Sequence, residues 1–318
     1  MAKNTKRSTS TKRSPASSKN GSASNDKRGV EVLKTYKMYI GGAYPRTESG
    51  RYYSPTINDA RLGNICLASR KDVRNAVKVA RDAQAAWAGR TAYNRSQILY
   101  RIAEMLEGRR DQFVAEIVKQ GSSQAEAESE VQASIDRLVV FAGWCDKYQQ
   151  VFSSVNPVAS SHFNFSVLEP MGVVFIVAEE SSALLGLVSL IAPVIAGGNS
   201  CVVLASESRP LSAVTFGEVL GTSDLPGGVV NIMTGKLDEL AEHFARHMNV
   251  DAIAFDRRDK SILGKIKQNA AADIKRVKSY IVDWQQPESA SPYLIADFSE
   301  VKTTWHPIER ITASGSGY

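Results

Sequence analysis

The stretch PMGVVFIVAEESSALLGLVSLIAPVIAGGNSCVVLASESRPL, residues 170–211, decides the fold. Two short apolar runs, residues 173–178 and 200–204, flank an apolar segment long enough for a helix. This pattern predicts a strand, a helix and a second strand, the unit from which parallel sheets are built. Ligands of such sheets bind at the carboxyl ends of the strands. We therefore expect functional residues at 179–182 and 204–207.

The residues after 211 repeat the alternation of strand and helix. The predicted elements are a strand at 229–233, a helix at 237–247, a strand at 252–255, a helix from 259, and strands near 277–282 and 293–295. Strands and helices that alternate in this way form a doubly wound α/β domain, with helices on both faces of a parallel sheet. Residues 36–40 predict a further short strand near the start of ordered structure.

Three amphipathic helices precede the central unit. Ser69 and Asp72 have the spacing of a capping box and mark the start of the first. Apolar residues recur at helical spacing within residues 73–87, 98–117 and 131–142. Such stripes are typical of core packing, so we assign no binding role to them.

Residues 162–168 predict a β-strand of a different kind. Phe163, Phe165 and Val167 alternate with polar residues, which is the period of a strand with one apolar face. We expect this strand to form half of a hairpin arm at about residues 157–169.

The net charge of +6 resides in the first residues of the chain. Eight lysines and arginines face only Asp26 within residues 1–30, a balance of +7, whereas the remainder has 31 basic and 32 acidic residues. Because this segment has almost no large apolar residue before Val30, we predict a disordered basic tail over residues 1–35. A solubilising role is favoured; binding of residues 1–30 to nucleic acid or an acidic surface is the alternative.

Composition argues against a membrane protein and against a metal centre. No uncharged run approaches the length of a membrane span and the N-terminus lacks the apolar core of a secretory signal, so we expect a cytoplasmic protein. His243 and His247 lie four residues apart, but without a third ligand we predict no metal. The cysteines have no metal-like or redox-like spacing and are expected to be buried free thiols: Cys66, Cys145 and Cys201.

Several short motifs occur in an order that carries a resemblance. They are YIGG at 39–42, VARDAQAAW at 79–87, ILYRIAEMLEGRRDQF at 98–113, GWCDKY at 143–148, EPMGVV at 169–174, IAPVIAGGNS at 191–200, LPGGVVNIMTG at 225–235 and VDAIAF at 250–255. From about residue 37 to 300 the chain resembles the NAD(P)-dependent aldehyde dehydrogenase superfamily. The resemblance implies a Rossmann-like cofactor domain, here residues 36–300 with the hairpin arm inserted, a catalytic domain, and a bridging arm for oligomerisation.

The resemblance also implies what this sequence lacks. The family's cysteine nucleophile follows the region where this chain ends, and none of its three cysteines matches that position. We therefore expect the catalytic domain to be largely absent and residues 301–318 to be a tail or remnant. In the family the arm pairs with a strand from the end of a neighbouring subunit. We expect this chain to lack such a strand, which would leave residues 162–168 unpaired and in need of a partner.

The catalytic positions implied by the resemblance are altered. Ser181 stands where the family has the asparagine that steadies the oxyanion, and Glu179 and Glu180 beside it disfavour a developing negative charge. Leu204 stands at the family's lysine that contacts the cofactor ribose. No glutamate matches the catalytic base, and Glu288 is merely near. Ser181 or Ser182 is a candidate cap for the helix that follows.

The cofactor positions are changed less uniformly. Ser206 and Glu207 match the family, and Glu207 is either an acceptor for ribose hydroxyls or a solvated loop residue. Asp256 and Arg257 stand where the family places residues beneath the cofactor pyrophosphate. We interpret Asp256 as a helix cap in place of that ligand. Arg257 and its neighbour Arg258 either clamp a phosphate or, as is more typical, form a salt-bridged surface.

These residues favour a non-catalytic, truncated relative of the aldehyde dehydrogenases. We expect a structural or regulatory subunit that associates, through residues 162–168, with a full-length aldehyde dehydrogenase or with itself. No cofactor is expected, although weakened binding of NAD or NADP is compatible with the sequence. Two alternatives are an NAD(P)-dependent aldehyde oxidoreductase whose active site another polypeptide completes, and a scaffold that acts through its basic tail.

Overall fold

A computed structural model describes residues 33–308 of the chain. The helices are α1 (Arg70–Ala88), α2 (Ala92–Glu107), α3 (Arg110–Lys119), α4 (Gln124–Trp144), α5 (Tyr148–Phe152), α6 (Leu185–Ala196), α7 (Leu211–Gly221), α8 (Leu237–Ala245), α9 (Lys260–Ala270) and α10 (Tyr293–Ala296). The strands are β1 (Thr35–Tyr36), β2 (Tyr52–Tyr53), β3 (Thr56–Ile57), β4 (Ala60–Arg61), β5 (Asn64–Cys66), β6 (Ser154–Asn156), β7 (His162–Pro170), β8 (Val173–Val177), β9 (Ser200–Leu204), β10 (Val230–Met233), β11 (Ala252–Phe255), β12 (Arg276–Ser279) and β13 (Ser299–Pro307). The predicted disordered tail lies outside the described residues except for 33–35. Within residues 33–308, none of the helices has both the length and the apolar character to cross a bilayer.

The core is a parallel five-stranded sheet with the order β10-β9-β8-β11-β12. Val173, Phe175 and Val177 of its middle strand pack among apolar residues of α1, α8 and α9. Val174 and Ile176 point the other way, into a cluster that includes α2, α4, α6 and α7. Burial on both faces explains why the strands read as continuous apolar runs. The predicted doubly wound α/β fold is confirmed.

The strand order changes direction beside β8. β9 and β10 extend the sheet on one side, whereas β11 and β12 extend it on the other. The loops that follow β8 and β11 therefore open into a shared crevice at the carboxyl ends of the two strands. In open α/β sheets such a point is the usual ligand site.

A buried carboxylate from another helix caps α6. Glu130 of α4 accepts hydrogen bonds from the backbone amides of Leu184 and Leu185, at 2.8 and 3.1 Å, and from the hydroxyl of Ser182 at 2.7 Å. The predicted contribution of Ser182 is present as well, since its hydroxyl accepts from the amide of Gly186 at 2.9 Å. Helix α6 is apolar and buried throughout, so its free amides need partners from inside the protein.

The arm is a three-stranded antiparallel sheet in which β7 is central, between β13 and β6. β13 pairs with β7 along its whole length, from Ser299 opposite Pro170 to Pro307 opposite His162. The expectations that the chain lacks this strand and that residues 162–168 are unpaired are therefore wrong. Residues 301–307, assigned above to a tail, complete the sheet because their backbone groups match the open edge of β7.

Two local predictions have clear outcomes. The capping box of α1 is confirmed, with Ser69 and Asp72 exchanging hydrogen bonds. The strand predicted at residues 293–295 is wrong, because those residues form the short helix α10. Pro292 at its start has a helical φ of −63°, and the adjacent residues Leu294 and Ile295 are both buried, which a one-sided strand does not allow.

Candidate functional site

The crevice at the carboxyl ends of β8 and β11 forms a cleft of about 380 Å³. It lies where the strand order predicts a ligand site. Charged side chains of the two loops meet apolar side chains that follow β12 there. The lining residues are Glu179, Glu180, Ser181, Asp256, Arg257, Arg258, Tyr280, Ile281 and Val282.

Arg257 lies across the ends of the strands. Its guanidinium donates to the carbonyl oxygens of Ala178 after β8, at 2.9 Å, and Ala205 after β9, at 3.1 Å. It also forms an ion pair of 2.8 Å with Glu180, and its side chain is only 10% exposed. The predicted ion pair is present, but it is buried in the crevice instead of lying on the surface. Burial lowers the pKa of Arg257, and the negative charge of Glu180 opposes that shift.

The carboxylate of Glu180 is the second half of this contact. It accepts hydrogen bonds from the backbone amides of Glu207 and Ser208, at 3.1 and 2.7 Å, and from the hydroxyl of Ser206 at 3.2 Å. That hydroxyl also donates to the carbonyl oxygen of Glu180 and accepts from the amide of Arg209, each at 3.0 Å. Ser206, predicted as a cofactor contact, is thus engaged by the protein itself.

Glu207 lies on the other side of the same loop. Its side chain borders a second cleft of about 410 Å³, which Glu180, Arg257, Lys236 and Asp238 also line. Burial raises the pKa of Glu207, and the neighbouring carboxylate of Glu180 raises it further. Both predicted cofactor residues thus lie beside Glu180: the hydroxyl of Ser206 donates to its carboxylate, and the side chain of Glu207 borders the second cleft with it.

The positions matched to catalytic and ribose-binding residues offer little to a ligand. The hydroxyl of Ser181 is exposed but donates to the carboxylate of Glu179. Leu204, the last residue of β9, is fully buried in the core between the sheet and the helices α1 and α8. Neither side chain supplies a free donor to the cleft.

Asp256 does not cap the helix that follows it, so that interpretation is wrong. Helix α9 begins at Lys260, and its cap is Asp259, whose carboxylate accepts from the amide of Ile262 at 2.9 Å. Asp256 is too far ahead of the first turn; it accepts instead from the indole nitrogen of Trp284 at 2.6 Å. Burial raises the pKa of Asp256 to about 7, although the indole hydrogen bond acts in the opposite direction.

Two side chains near the crevice had no signal in the sequence. Trp284 is buried under the cleft, where Arg137 of α4 donates to its carbonyl oxygen at 2.7 Å. Tyr53 has a buried hydroxyl without a hydrogen-bond partner among residues 33–308. Its pKa is raised by burial and by the charges of Glu207 and Glu180, with Arg257 opposing them. Both residues reach the site through long-range folding, which no local pattern reveals.

The cysteines are buried free thiols, as predicted. Burial raises the pKa of Cys145 to about 12 and raises that of Cys201 as well. None of the three lines the cleft at the strand ends. A thiol with a raised pKa carries little of the thiolate that attacks a carbonyl at neutral pH.

This burial predicts a slow reaction with Ellman's reagent. In the folded chain the three thiols should react about tenfold or more slowly than in chain unfolded by guanidinium, because all three are buried and burial also raises the pKa of Cys145 and Cys201. The rate of colour development with and without denaturant measures this. A stoichiometric burst from one thiol of the folded chain would contradict the expectation.

The histidine pair is not assembled into a larger cluster in the structure. Helix α8 ends at Ala245, so His247 lies beyond the helix, and its ring nitrogen contacts the amide of Asn249 at 3.2 Å. Within residues 33–308, the His, Cys, Asp and Glu side chains form no group of three or more that could hold a metal ion.

The parallel sheet, the crevice at its strand ends and the arm together correspond to a known class. The model of the aldehyde dehydrogenase family matches residues 36–280, and the chain belongs to that family. DhaS of Bacillus subtilis (strain 168), by name a putative aldehyde dehydrogenase, is 31% identical over 250 residues, and the match covers 76% of this chain and 50% of DhaS. The cytosolic 10-formyltetrahydrofolate dehydrogenase of Mus musculus is 30% identical, over 76% of this chain and 28% of that protein.

Solved structures agree with this assignment. The NAD+ complex of an aldehyde dehydrogenase from Bacillus cereus superposes with a TM-score of 0.72 and 25% sequence identity. The match covers 77% of this chain and 50% of the Bacillus cereus chain. The chain thus spans half the length, or less, of the relatives named here.

Proposed function

We propose that this chain is a non-catalytic, cytoplasmic member of the aldehyde dehydrogenase family that acts as a structural or regulatory subunit of a full-length aldehyde dehydrogenase. One observation carries the proposal: the three cysteines of the sequence are all buried, and none faces the cleft. Covalent catalysis on a carbonyl needs an accessible nucleophile that ionises near neutral pH. The cleft of this chain offers none of its cysteines for that role.

The state of the cleft supports weak or no binding of NAD or NADP. The donors suited to a diphosphate, namely the amides of Glu207 and Ser208 and the guanidinium of Arg257, are engaged by Glu180. A dinucleotide would have to displace this carboxylate and would then face the remaining acidic side chains. The crevice as it stands therefore does not fit a nicotinamide dinucleotide.

The arm supplies a surface for the proposed association. An apolar cleft of about 340 Å³ lies on one face of the sheet, bordered by Val155, Phe163, Phe165 and Val167. Val155 is 66% exposed and Phe163 45% exposed. Because β13 covers one edge of β7, contact would involve these apolar side chains instead of the backbone of residues 162–168.

Charge placed on this apolar face should weaken the association. We expect the V155K/F163K variant to lose binding to a co-expressed aldehyde dehydrogenase from the same organism about tenfold or more, because burying a lysine removes apolar contact and costs desolvation. The matched control is Trp305→Lys: Trp305 is 57% exposed and lies opposite Asn164, hence on the other face of the sheet.

The measurement is co-purification followed by size-exclusion chromatography with light scattering. The proposal predicts a mixed oligomer for the unaltered chain and for the Trp305→Lys control, and none for V155K/F163K. If the chain forms an oligomer without the enzyme, the partner of the arm is a second copy of this chain and not an aldehyde dehydrogenase. A monomer that ignores the enzyme would overturn the proposal.

The second candidate is a split enzyme, favoured by the cleft of about 380 Å³ at the ligand position of the sheet. In that case another polypeptide completes an NAD(P)-dependent oxidoreductase. Cofactor binding separates the two functions, since a bound ligand raises the melting temperature by mass action. An increase with millimolar NAD or NADP, together with aldehyde oxidation on mixing with a partner chain, would favour the split enzyme.

The basic N-terminus offers a third function, supported by its charge of +7 over residues 1–30. A chain that lacks these residues should then lose salt-dependent binding to nucleic acid. Unchanged binding on deletion would remove this candidate.

A further inference from the structure

Four groups, three hydrogen-bond donors and one cation, converge on the carboxylate of Glu180 at the ends of β8 and β9. The donors are the successive backbone amides of Glu207 and Ser208 and the hydroxyl of Ser206. The cation is the guanidinium of Arg257, which forms an ion pair of 2.8 Å with the same carboxylate. Successive backbone amides beside a cation are the arrangement by which proteins bind phosphate and other oxyanions.

The cation of this group is itself fixed. The side chain of Arg257 is 10% exposed, and it donates to the carbonyl oxygens of Ala178 and Ala205. The carboxylate is not fixed to the same degree, because the side chain of Glu180 is 40% exposed. The guanidinium of Arg257 is therefore held in place by the protein, whereas the carboxylate of Glu180 can move out into solvent.

We propose that the loop of residues 206–208 and Arg257 form a binding site for phosphate-type anions, and that the carboxylate of Glu180 is its internal ligand. Glu180 thereby excludes diphosphate-bearing molecules from the crevice. The inference goes beyond the proposed subunit function and does not depend on a partner chain. It explains why these four groups, although they lie at the ligand position of the fold, are engaged by the protein itself.

A tethered ligand is a strong competitor. A carboxylate on a short flexible link acts at an effective concentration on the order of millimolar, so an external anion binds correspondingly less well while the carboxylate is in place. Removal of the Glu180 carboxylate should therefore increase the affinity of these four groups for an external anion. Glu179 and Glu207 remain nearby and repel anions in every variant, so the comparison needs a control for net charge.

Such a control exists in the adjacent residue. Glu179 lines the same cleft and has the same charge, but its carboxylate accepts from Ser181 and not from the 206–208 loop. The variants Glu180→Ala and Glu179→Ala each remove one negative charge from the cleft. Only Glu180→Ala removes the carboxylate that engages the 206–208 loop and Arg257.

The test is isothermal titration of inorganic pyrophosphate into the full chain. We expect Glu180→Ala to bind pyrophosphate about tenfold or more tightly than both the unaltered chain and Glu179→Ala, and the affinity to fall with added salt. Melting temperatures establish that each variant is folded. If Glu180→Ala is not folded, Glu180→Ser provides the same comparison.

Two results would overturn the inference. One is a folded Glu180→Ala chain that binds no more tightly than Glu179→Ala. The other is equally tight binding by the unaltered chain, which would show that Glu180 excludes nothing. Neither result bears on association through the arm, so failure here is distinguishable from failure of the proposed subunit function.

Discussion

Replacing Asp256 with asparagine should raise the free energy of unfolding at pH 8 by about 2–4 kcal/mol. Burial raises the pKa of Asp256 to about 7 in the folded chain, against about 3.9 for an unfolded aspartate. The folded chain therefore holds the proton more tightly than the unfolded chain. Each unit of difference corresponds to about 1.4 kcal/mol, and the lower part of the range allows for solvent screening.

The direction of the pH dependence follows from the same difference. The stabilisation from protonated Asp256 is fully present below about pH 4 and is lost as the pH rises to about 7. Asparagine is neutral throughout and its carbonyl oxygen can still accept from the indole of Trp284. The D256N variant should therefore lack this loss of stability between pH 4 and 7.

Urea unfolding at pH 5 and pH 8 measures this effect. The control is Asp82→Asn on the exposed face of α1, where the carboxylate only pairs with Lys78 at 2.6 Å. That variant should follow the unaltered chain within about 0.5 kcal/mol at both pH values. If D256N changes the free energy of unfolding by the same amount at pH 5 and pH 8, ionisation of the buried carboxylate is not the cause of the change.

Replacing Glu130 with alanine should lower the free energy of unfolding by about 3 kcal/mol or more. Glu130 is 6% exposed and serves three donors at the start of α6. Each buried donor left without an acceptor costs about 1–3 kcal/mol. Glutamine should give an intermediate loss because its amide oxygen remains an acceptor.

Urea unfolding of Glu130→Ala, Glu130→Gln and the control Glu128→Ala tests this order. Glu128 lies on the exposed side of α4 and contacts only Gln124, at 2.7 Å. Its loss should cost less than about 0.5 kcal/mol. Equal losses for the two alanine variants would mean that Glu130 contributes helix propensity and not a cap.

The central sheet could be predicted because its local pattern is decisive. Strands such as β8 and β9 are buried on both faces, so that every position is apolar and the runs stand out. β13 has no such pattern: all of its side chains except Ser299 and Thr304 are exposed, and its partner lies far back in the sequence. Its place depends on the backbone edge of β7, which leaves no trace in composition.

The site was predictable in position and not in contacts. Topology fixes which loops meet at the strand ends, and Glu179, Glu180 and Ser181 line the crevice there. The functional role of residues 179–182 and 204–207 stays a prediction. The contact of Glu180 with Arg257 joins residues 77 positions apart and depends on side-chain length and direction. The sequence predicts a local helix cap for Asp256, whereas in the fold its carboxylate accepts a hydrogen bond from Trp284. Trp284 lies on a segment without a periodic pattern, so this contact could not be predicted.

The pairing of β7 with β13 has a topological consequence. Pro170 and Ser299 are opposite each other in the register, and the amide of Met171 continues the contact to the carbonyl oxygen of Phe298 at 3.4 Å. The chain thus leaves the arm sheet and returns to it at one point, and all five strands of the parallel sheet lie between these two positions in the sequence. Residues 172–297 can therefore be described as an insertion between the strands β7 and β13 of the arm, and the pairing of these strands holds the two ends of the insertion together. While the arm stays folded, holding these two ends together lowers the entropy of locally unfolded conformations of residues 172–297, so the arm stabilises the parallel sheet against local unfolding.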